Sequence, residues 1–335
     1  MKGRITALAA LAALLLTAGC AGGRACTREI FAMDTFMRLT AYGSRGQEAV
    51  DAAAEEIFRL EGLLSASSPS SEVYRLNEAG GGALSEDTAS LLRSSLEAWE
   101  ATGGLFDCTV YPLMELWGFP TGEYRVPSQE ELLAALPLAD SSLLQLQGDS
   151  LALAPGQRLD FGGIAKGYAA SRVMEIFSAY GVQSGLISLG GNIQTLGAKP
   201  DGSPWRIGIQ DPDASRETPL AVLEARDLAV VTSGGYERWF EQDGETYIHI
   251  LDPRTGRPAE SDLLSVTVLS PDGVLADALS TALFIMGREE ALAFWQESGL
   301  DFQLALLTEE RTLYVTEGAA AGLETELPLT IVNRR

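Results

Sequence analysis

Hydrophobic positions repeat with a strand period at the start of the chain and with a helical period soon afterwards. Residues 30–42 alternate apolar and polar side chains like a strand. Residues 47–64 place one stripe of apolar side chains on a single helical face, formed by Val50, Ala54, Ile57, Leu60 and Leu64. The pattern therefore predicts a helix that packs on a sheet.

Capping and turn residues mark the next elements. Ser85 precedes a second predicted helix, which the glycines at 103 and 104 end. Ser128 and Glu131 have the spacing of a capping box and predict a short third helix. A hairpin is predicted over residues 143–153, with its turn at Gly148 and Asp149.

The second half of the chain is richer in predicted strands. They cover residues 185–189, 205–209, 220–225, 229–232, 246–251, 264–269, 302–307 and 313–315. Two helices are predicted among them, at 274–286 and 288–296. Runs of strands with a few covering helices favour an α+β fold in one large domain.

Residues 159–172 (LDFGGIAKGYAASR) read as a strand, a glycine turn and a helix that begins near Ile164. Backbone N–H groups and the dipole at a helix start favour an anion such as a phosphate. Lys166 adds a positive charge, and it is one of only three lysines, with Lys2 and Lys199. The alternative is an ordinary strand-turn-helix with a solvated lysine.

Composition limits the classes of partner. The hydrophobic content of 46% suffices for a globular core, and the net charge of −22 opposes binding to nucleic acid or to anionic lipid headgroups. The same charge repels a pyrophosphate, so a phosphate ligand would need a metal ion and a few placed cations.

The N-terminus has the features of an export signal. Lys2 and Arg4 precede an Ala/Leu run that is too short to span a bilayer. The run closes with LTAGC at residues 16–20, which resembles a bacterial lipobox, so we expect a signal peptide over 1–19 and lipid on Cys20. The alternative is a plain secretory signal cut at Ala18 or Gly19.

A lipidated tether is then expected over residues 20–30, followed by one domain over 31–335. With Cys20 lipidated, only Cys26 and Cys108 remain, and no disulfide framework is implied. The expected location is the bacterial cell membrane, facing the periplasm or the extracellular side.

Hard oxygen ligands are predicted near residue 277. Asp277 and Thr281 lie four positions apart at a predicted helix start, with Ser280 between them, so their oxygens can share one face. Mg²⁺ takes one or two carboxylates together with water and substrate phosphate. The alternative is an aspartate that stabilises the helix dipole and hydroxyls that bond back along the helix.

His249 is the only histidine in the chain, and it precedes a predicted turn. A lone histidine is often a packing or hydrogen-bonding residue. Arg254 and Arg257 in the same turn are candidate partners of a pyrophosphate, although exposed arginines are common in turns.

Eight motifs together resemble the ApbE family of FAD:protein FMN transferases, in the order seen there. They are AMDT (32–35), TGGLFD (102–107), LDFGGIAKGYAASR (159–172), LISLGGN (186–192), WRIGIQDP (205–212), VTSGGY (231–236), HILDPRTGRP (249–258) and ADALST (276–281). The resemblance implies a T-fold-like architecture of two lobes, in which sheets covered by helices surround a flavin site.

The resemblance also implies roles for residues. Mg²⁺, with Mn²⁺ as an alternative, would be held by Asp277, Thr281 and the carbonyl of Gly163. FAD would contact a set formed by Met33, Leu105, Phe106, Asp107, Asp160, Lys166, His249 and Ile250. In that set Met33 and Phe106 supply apolar contacts, although without the family both read as core, and Asp107 and Asp160 accept hydrogen bonds from ribose or adenine.

The function implied is transfer of FMN from FAD to a Thr or Ser hydroxyl of a membrane-bound redox subunit, with release of AMP. His249 would be the base or would orient the flavin phosphate, and Lys166 would stabilise charge. One departure is Ser67 in ASSPSSE (66–72), where the family usually has a tyrosine. Two alternatives therefore stay open: an FAD pyrophosphatase, and a flavin-binding lipoprotein without catalysis.

Overall fold

A nine-stranded mixed sheet forms the centre of the molecule in the computed structural model, which describes residues 23–212 and 219–334. Neighbouring strands are antiparallel except for the last pair. In sheet order the strands are β1 (Ala25–Ala32), β2 (Thr35–Tyr42), β6 (Ser184–Leu189), β7 (Asn192–Leu196), β10 (Ala229–Gly234), β15 (Leu263–Ser270), β16 (Gln303–Thr308), β17 (Leu313–Thr316) and β19 (Leu329–Val332).

Three long helices cover one face of this sheet and enclose the main core. They are α1 (Gly46–Leu64), α6 (Ala165–Ala179) and α7 (Gly273–Glu297). Each buries an apolar stripe, as Val50, Ile57 and Leu60 do on α1, where all three are fully buried. Removing such stripes from water is the main favourable term that holds helices and sheet together.

A smaller core lies on the opposite face of the sheet. There β8 (Trp205–Gln210) and β9 (Pro219–Ala225) form a three-stranded sheet with β18 (Glu324–Thr325). Trp205, Ile207 and Leu223 from this sheet pack in one cluster with Val230 of β10.

A third cluster of aromatic side chains forms a lobe beside the main sheet. Trp117, Phe119 and Phe240 are its centre, and Tyr247 packs beside them. The lobe is built from α4 (Tyr111–Trp117), α5 (Gln129–Ala135), β11 (Trp239–Gln242), β12 (Glu245–Ile248), β13 (Leu251–Asp252) and β14 (Arg257–Pro258).

The remaining elements connect these layers. They are α2 (Glu72–Ala79), β3 (Gly81–Ala83), α3 (Glu86–Ala101), the 3-10 turns Leu136–Leu138 and Ser141–Leu143, β4 (Gln145–Gln147), β5 (Ser150–Ala152) and α8 (Glu317–Ala320). No helix within the described ranges has the length and apolar character needed to cross a bilayer.

The α+β class is confirmed, and the predicted caps are present. Ser85 accepts from Thr88 N, and Ser128 forms the capping box with Glu131. The break predicted between 286 and 288 is also confirmed, because Gly287 has φ 74° inside α7 and Asp262 then accepts from Arg288 N at 2.9 Å.

Two boundaries are corrected. Residues 25–30, which were expected to belong to the tether, are strand, because β1 begins at Ala25, carries Cys26 and pairs with β2 along its whole length. The segment around Asp160 is not a strand. Its backbone bonds instead to the side chain of Asn77, which accepts from Leu159 N at 2.7 Å and donates to Leu159 O at 2.9 Å.

Candidate active site

A cavity of about 650 Å³ opens between the main sheet and the aromatic lobe. The tip of the β1–β2 hairpin, the starts of α6 and α7, and the segment after β12 all contribute to its wall. The predicted cofactor, catalytic and metal residues all line it, namely Met33, Leu105, Phe106, Asp107, Asp160, Gly163, Lys166, His249, Ile250, Asp277 and Thr281. The fold therefore collects side chains from distant motifs in one place. Cys20 lies outside the described residues.

The floor of the cavity is the crossing of α6 and α7. A β-carbon at Gly167 would lie 2.3 Å from the carbonyl oxygen of Gly273, so only glycine allows this approach. Asp277 is 3% exposed, and its Oδ2 accepts from Gly167 N at 2.8 Å. A carboxylate of α7 therefore caps the N-terminus of α6.

This cap corrects the prediction that the backbone at the α6 start holds a phosphate. Ile164 N and Ala165 N both donate to Phe161 O, and Gly162 N donates to Asp160 Oδ1 at 2.7 Å. Gly167 N is taken by Asp277. The anion at this helix start is thus the protein's own carboxylate, and Lys166 is left as the positive group of the motif that faces the cavity.

Asp277, Thr281 and the Gly162–Gly163 turn line the same part of the cavity, where the two side chains lie one helical turn apart on α7. A β-carbon at Gly163 would lie 3.6 Å from Thr281 Oγ1, so the turn and the hydroxyl are neighbours. No group of three or more His, Cys, Asp or Glu side chains suited to a metal occurs in 23–212 and 219–334. A hydroxyl, a carbonyl and one carboxylate form a sparse set of hard oxygens, which fits Mg²⁺ better than a softer metal.

Burial raises the pKa of Asp277, and the positive charge of Lys166 opposes that rise. The carboxylate thus costs free energy to keep ionised unless a cation lies beside it. The structure separates Ser280 from this set. Its hydroxyl donates to Asp277 O at 2.8 Å and lies 2.7 Å from Ser233 Oγ, so it faces β10 and not the cavity.

The loop that carries Phe106 is fixed by Asp107. The carboxylate of Asp107 accepts from Thr109 N at 2.7 Å, from Thr109 Oγ1 at 2.5 Å, from Ser141 Oγ at 2.7 Å and from Ser141 N at 2.9 Å. These four bonds leave little capacity for ribose or adenine, the role predicted for Asp107. The geometry instead favours a positioning role, in which Asp107 holds Leu105 and Phe106 at the cavity wall.

His249 is held by the backbone of Arg238. Its Nδ1 lies 3.1 Å from Arg238 O, which also accepts from His249 N at 3.0 Å. Because a carbonyl only accepts, Nδ1 carries the proton and Nε2 keeps a free lone pair. Burial, followed by the charge of Arg238, lowers the pKa of His249 to about 4. The side chain is therefore neutral near pH 7.

Three lining residues were not predicted from the sequence. Arg238 adds a second cation to the cavity and donates to Phe119 O at 2.7 Å. Asn192 is 3% exposed beside Asp277, although its motif, LISLGGN, was recognised. Glu61 accepts from Met33 N at 2.6 Å, across 28 residues of sequence, and no local pattern signals such a contact.

The two arginines proposed for the pyrophosphate lie elsewhere. Arg254 pairs with Asp252 at 2.7 Å, and Arg257 donates to Gln129 Oε1 at 2.6 Å. Neither arginine is among the described residues that line the cavity. The basic side chains in that lining are Lys166 and Arg238. Ser67 does line it, as the motif comparison predicted.

Comparison with known proteins identifies the family. The ApbE family model matches residues 33–304, and the chain belongs to the ApbE family. It is 36% identical to an FAD:protein FMN transferase of Treponema pallidum over 314 residues, covering 86% of this chain and 87% of that protein. A second FAD:protein FMN transferase, from Escherichia coli K12, is 31% identical over 85% of this chain and 84% of its own.

Solved structures agree with this assignment. The ApbE protein of Thermotoga maritima superposes with a TM-score of 0.84 at 32% identity, covering 89% of this chain and 99% of that one. The flavin transferase ApbE of Vibrio cholerae gives a TM-score of 0.77 at 28% identity, over 91% and 97% of the two chains.

The Asp277 cap generates a testable prediction. Asp277→Asn keeps an oxygen for Gly167 N, so its free energy of unfolding should stay near that of the parent. Asp277→Ala leaves the buried N–H unpaired and should lose about 1–3 kcal/mol, measured by denaturant unfolding. Both variants should lose Mn²⁺ binding in titration calorimetry, because both lack the carboxylate charge.

Asp272→Ala is the matched control. Asp272 caps α7 through Val274 N and Leu275 N outside the cavity, so its loss should cost about 1 kcal/mol without changing Mn²⁺ binding. Equal stability of the Asn and Ala variants at position 277 would contradict the assigned cap.

Proposed function

We propose that the chain is an Mg²⁺-dependent FAD:protein FMN transferase, the activity named for its relatives in Treponema and Escherichia. One observation carries the proposal beyond the family name: a neutral histidine with a free Nε2 shares a cavity with two cations and a buried carboxylate. A volume of about 650 Å³ is within the range of small-molecule and cofactor sites.

The reaction moves a phosphoryl-linked group between oxygens. A Thr or Ser hydroxyl of the acceptor attacks the phosphorus on the riboflavin side of FAD, a new P–O ester bond forms, and the pyrophosphate P–O bond breaks to release AMP. His249 Nε2 takes the hydroxyl proton as the oxygen attacks. The proton returns to solvent afterwards, so atoms and charge balance without a redox step.

Lys166 and Arg238 offset negative charge on the phosphates as the bond breaks. Asp277, Thr281 and the Gly163 carbonyl would hold Mg²⁺, or Mn²⁺ in its place. When bound, the metal supplies charge neutralisation of the pyrophosphate. The protein as a whole carries −22, which repels a pyrophosphate, and these local positive charges would offset that repulsion.

Apolar lining residues provide the contacts for the flavin ring. Met33, Leu105, Phe106 and Ile250 line the cavity, and Phe106 and Ile250 are each 4% exposed. Asp160 accepts from Gly162 N and keeps a second carboxylate oxygen for ribose or adenine. We also propose that the sheet consists of two T-fold-like halves with their covering helices, the strands being antiparallel except for the β17–β19 pair.

A second activity is favoured by Ser67. It is an exposed, small side chain at the cavity where the family usually has tyrosine, so water has easier access. FAD pyrophosphatase activity, which yields FMN and AMP, would then accompany transfer. A flavin-binding lipoprotein without catalysis would release no AMP.

The direct test measures three products of one incubation: AMP, free FMN and acceptor protein that carries FMN. The purified protein is mixed with FAD, Mg²⁺ and detergent-solubilised membrane proteins of the source bacterium. We expect AMP release together with a fluorescent acceptor band whose peptide mass shows FMN on Thr or Ser. AMP and free FMN alone would indicate a hydrolase, and the absence of AMP would indicate a carrier.

The role of His249 leads to a prediction for chemistry and pH. His249→Asn should bind FAD nearly as tightly as the parent, by fluorescence quenching, but transfer FMN roughly 10²- to 10⁴-fold more slowly in single turnover. In the parent, His249 has a pKa of about 4 instead of the ordinary histidine pKa of 6.5, so it becomes protonated only in more acidic solution. The single-turnover rate should therefore fall with acid near pH 4, and this limb should vanish in the variant.

A normal single-turnover rate in His249→Asn would exclude it as the base. Weaker FAD binding with a proportional loss of rate would assign it to flavin orientation instead.

Export and anchoring complete the proposal. We propose that Cys20 carries lipid and places the enzyme at the bacterial membrane, next to redox subunits that present the acceptor hydroxyl. Cys20→Ala should leave the protein out of the membrane fraction, whereas Cys26→Ala, the matched cysteine control on β1, should stay with the membranes. Retention of the Cys20 variant on membranes after a salt wash would refute the anchor.

A further inference from the structure

The β1–β2 hairpin ends in an exposed aromatic pair at the mouth of the cavity. Phe31 and Phe36 are cross-strand partners with ring centroids 5.1 Å apart in an edge-to-face arrangement. Phe31 is 57% exposed and Phe36 is 81% exposed, yet both border the same cavity as His249 and Lys166. Two large apolar rings are thus kept in water beside the reacting groups.

The hairpin turn holds this pair in a costly conformation. Met33 and Asp34 have φ of 48° and 59°, the left-handed region that glycine and asparagine prefer in two-residue hairpin turns. Glu61 pins the turn by accepting from Met33 N. A left-handed backbone costs free energy in residues other than glycine, so a hairpin tip that keeps this conformation is a candidate for function.

The two faces of the hairpin differ. Ile30, Met37 and Leu39 turn inward and pack in the main core. Phe31 and Phe36 lie on the outer face, in line with the Glu29–Arg38 ion pair and the Thr27–Thr40 pair. The rings therefore do not complete the core, and a partner from outside is needed to cover them.

We propose that Phe31 and Phe36 dock the acceptor polypeptide, through an apolar side chain that flanks its acceptor Thr or Ser. The inference rests on the proposed transferase function, which requires the acceptor hydroxyl to enter through this mouth. Exposed aromatic residues are the usual anchors of protein interfaces. The surface is continuous with the reaction site, and the adjacent Glu29 and Arg38 pair with each other.

A membrane surface is a weaker candidate for the same rings. The described chain enters β1 at Ala25, and Phe31 lies six residues further along, about 20 Å away at the usual rise of a strand. Residues 23 and 24, where the described chain begins, therefore lie at the opposite end of the strand from the rings. The acidic Asp34 at the tip also opposes anionic headgroups.

The test uses the acceptor subunit that the transfer assay labels, with the full protein, FAD and Mg²⁺. Phe31→Ser/Phe36→Ser should raise the KM for the acceptor about ten-fold or more, the scale of losing interface anchors. Its dissociation constant for FAD and its release of AMP without acceptor should stay at the parent values. Phe58→Ser, which removes a 44% exposed ring from α1 away from the cavity, is the matched control and should change none of these.

A second variant guards against a folding defect. Phe36→Ser alone alters a ring with 81% exposure, so it should keep the parent melting temperature and still raise the acceptor KM. An unchanged acceptor KM in both variants would overturn the proposal while leaving the transferase function intact. An equal rise in the FAD dissociation constant would also overturn it, because the rings would then contact the flavin. An unchanged acceptor KM together with lost binding to anionic vesicles would overturn it as well, because the rings would then contact the membrane. Absence of any transfer by the parent would remove the proposed function itself.

Discussion

The contact between α6 and α7 is the constraint on which the site depends. Gly167 lets the backbone of α6 approach Gly273 closely, and this approach brings Asp277 to the first turn of α6. One carboxylate then does two things, because it pairs a helix N–H and also presents oxygen to the cavity beside Lys166. A larger residue at 167 would push the helices apart and separate Asp277 from the Gly162–Gly163 turn. Packing and chemistry are therefore fixed by the same pair of glycines.

Local sequence signals predicted the elements and the motif residues, but not the long-range bonds that place them. Ser128 and Gly287 act within a few residues of themselves, so their patterns could be interpreted directly. The side chain of Asn77 bonds to the backbone of Leu159, 82 residues away in sequence, in place of a neighbouring strand. The side chain of Glu61 accepts from Met33 N, 28 residues away. Such contacts depend on the tertiary fold, and a single sequence carries no trace of them. For the same reason Asp107 could be located in the site, while its four internal bonds could not be foreseen.

Titratable groups in the cavity respond to burial in opposite senses. The pKa of His249 is lower in the folded chain than its ordinary 6.5, so folding loses stability from this group as the pH falls from 6.5 toward 4. Burial raises the pKa values of Asp160 and Asp277, so folding disfavours the charged form of each carboxyl relative to the unfolded chain. A cation bound beside Asp277 would offset that cost, while the imidazole of His249 stays neutral near pH 7. The cavity thus combines a buried carboxylate, whose charged form a nearby cation would stabilise, with a neutral imidazole.

The β1–β2 hairpin contributes both to the cavity wall and to the exposed surface at the mouth of the cavity. Its strained tip turns Met33 into the cavity wall while the neighbouring Phe31 and Phe36 stay outside, and a single carboxylate, Glu61, holds the tip. Any movement of the tip would therefore change the cavity wall and the aromatic mouth together. Because Glu61 lies on α1, the packing of that helix on the sheet also fixes the position of the tip.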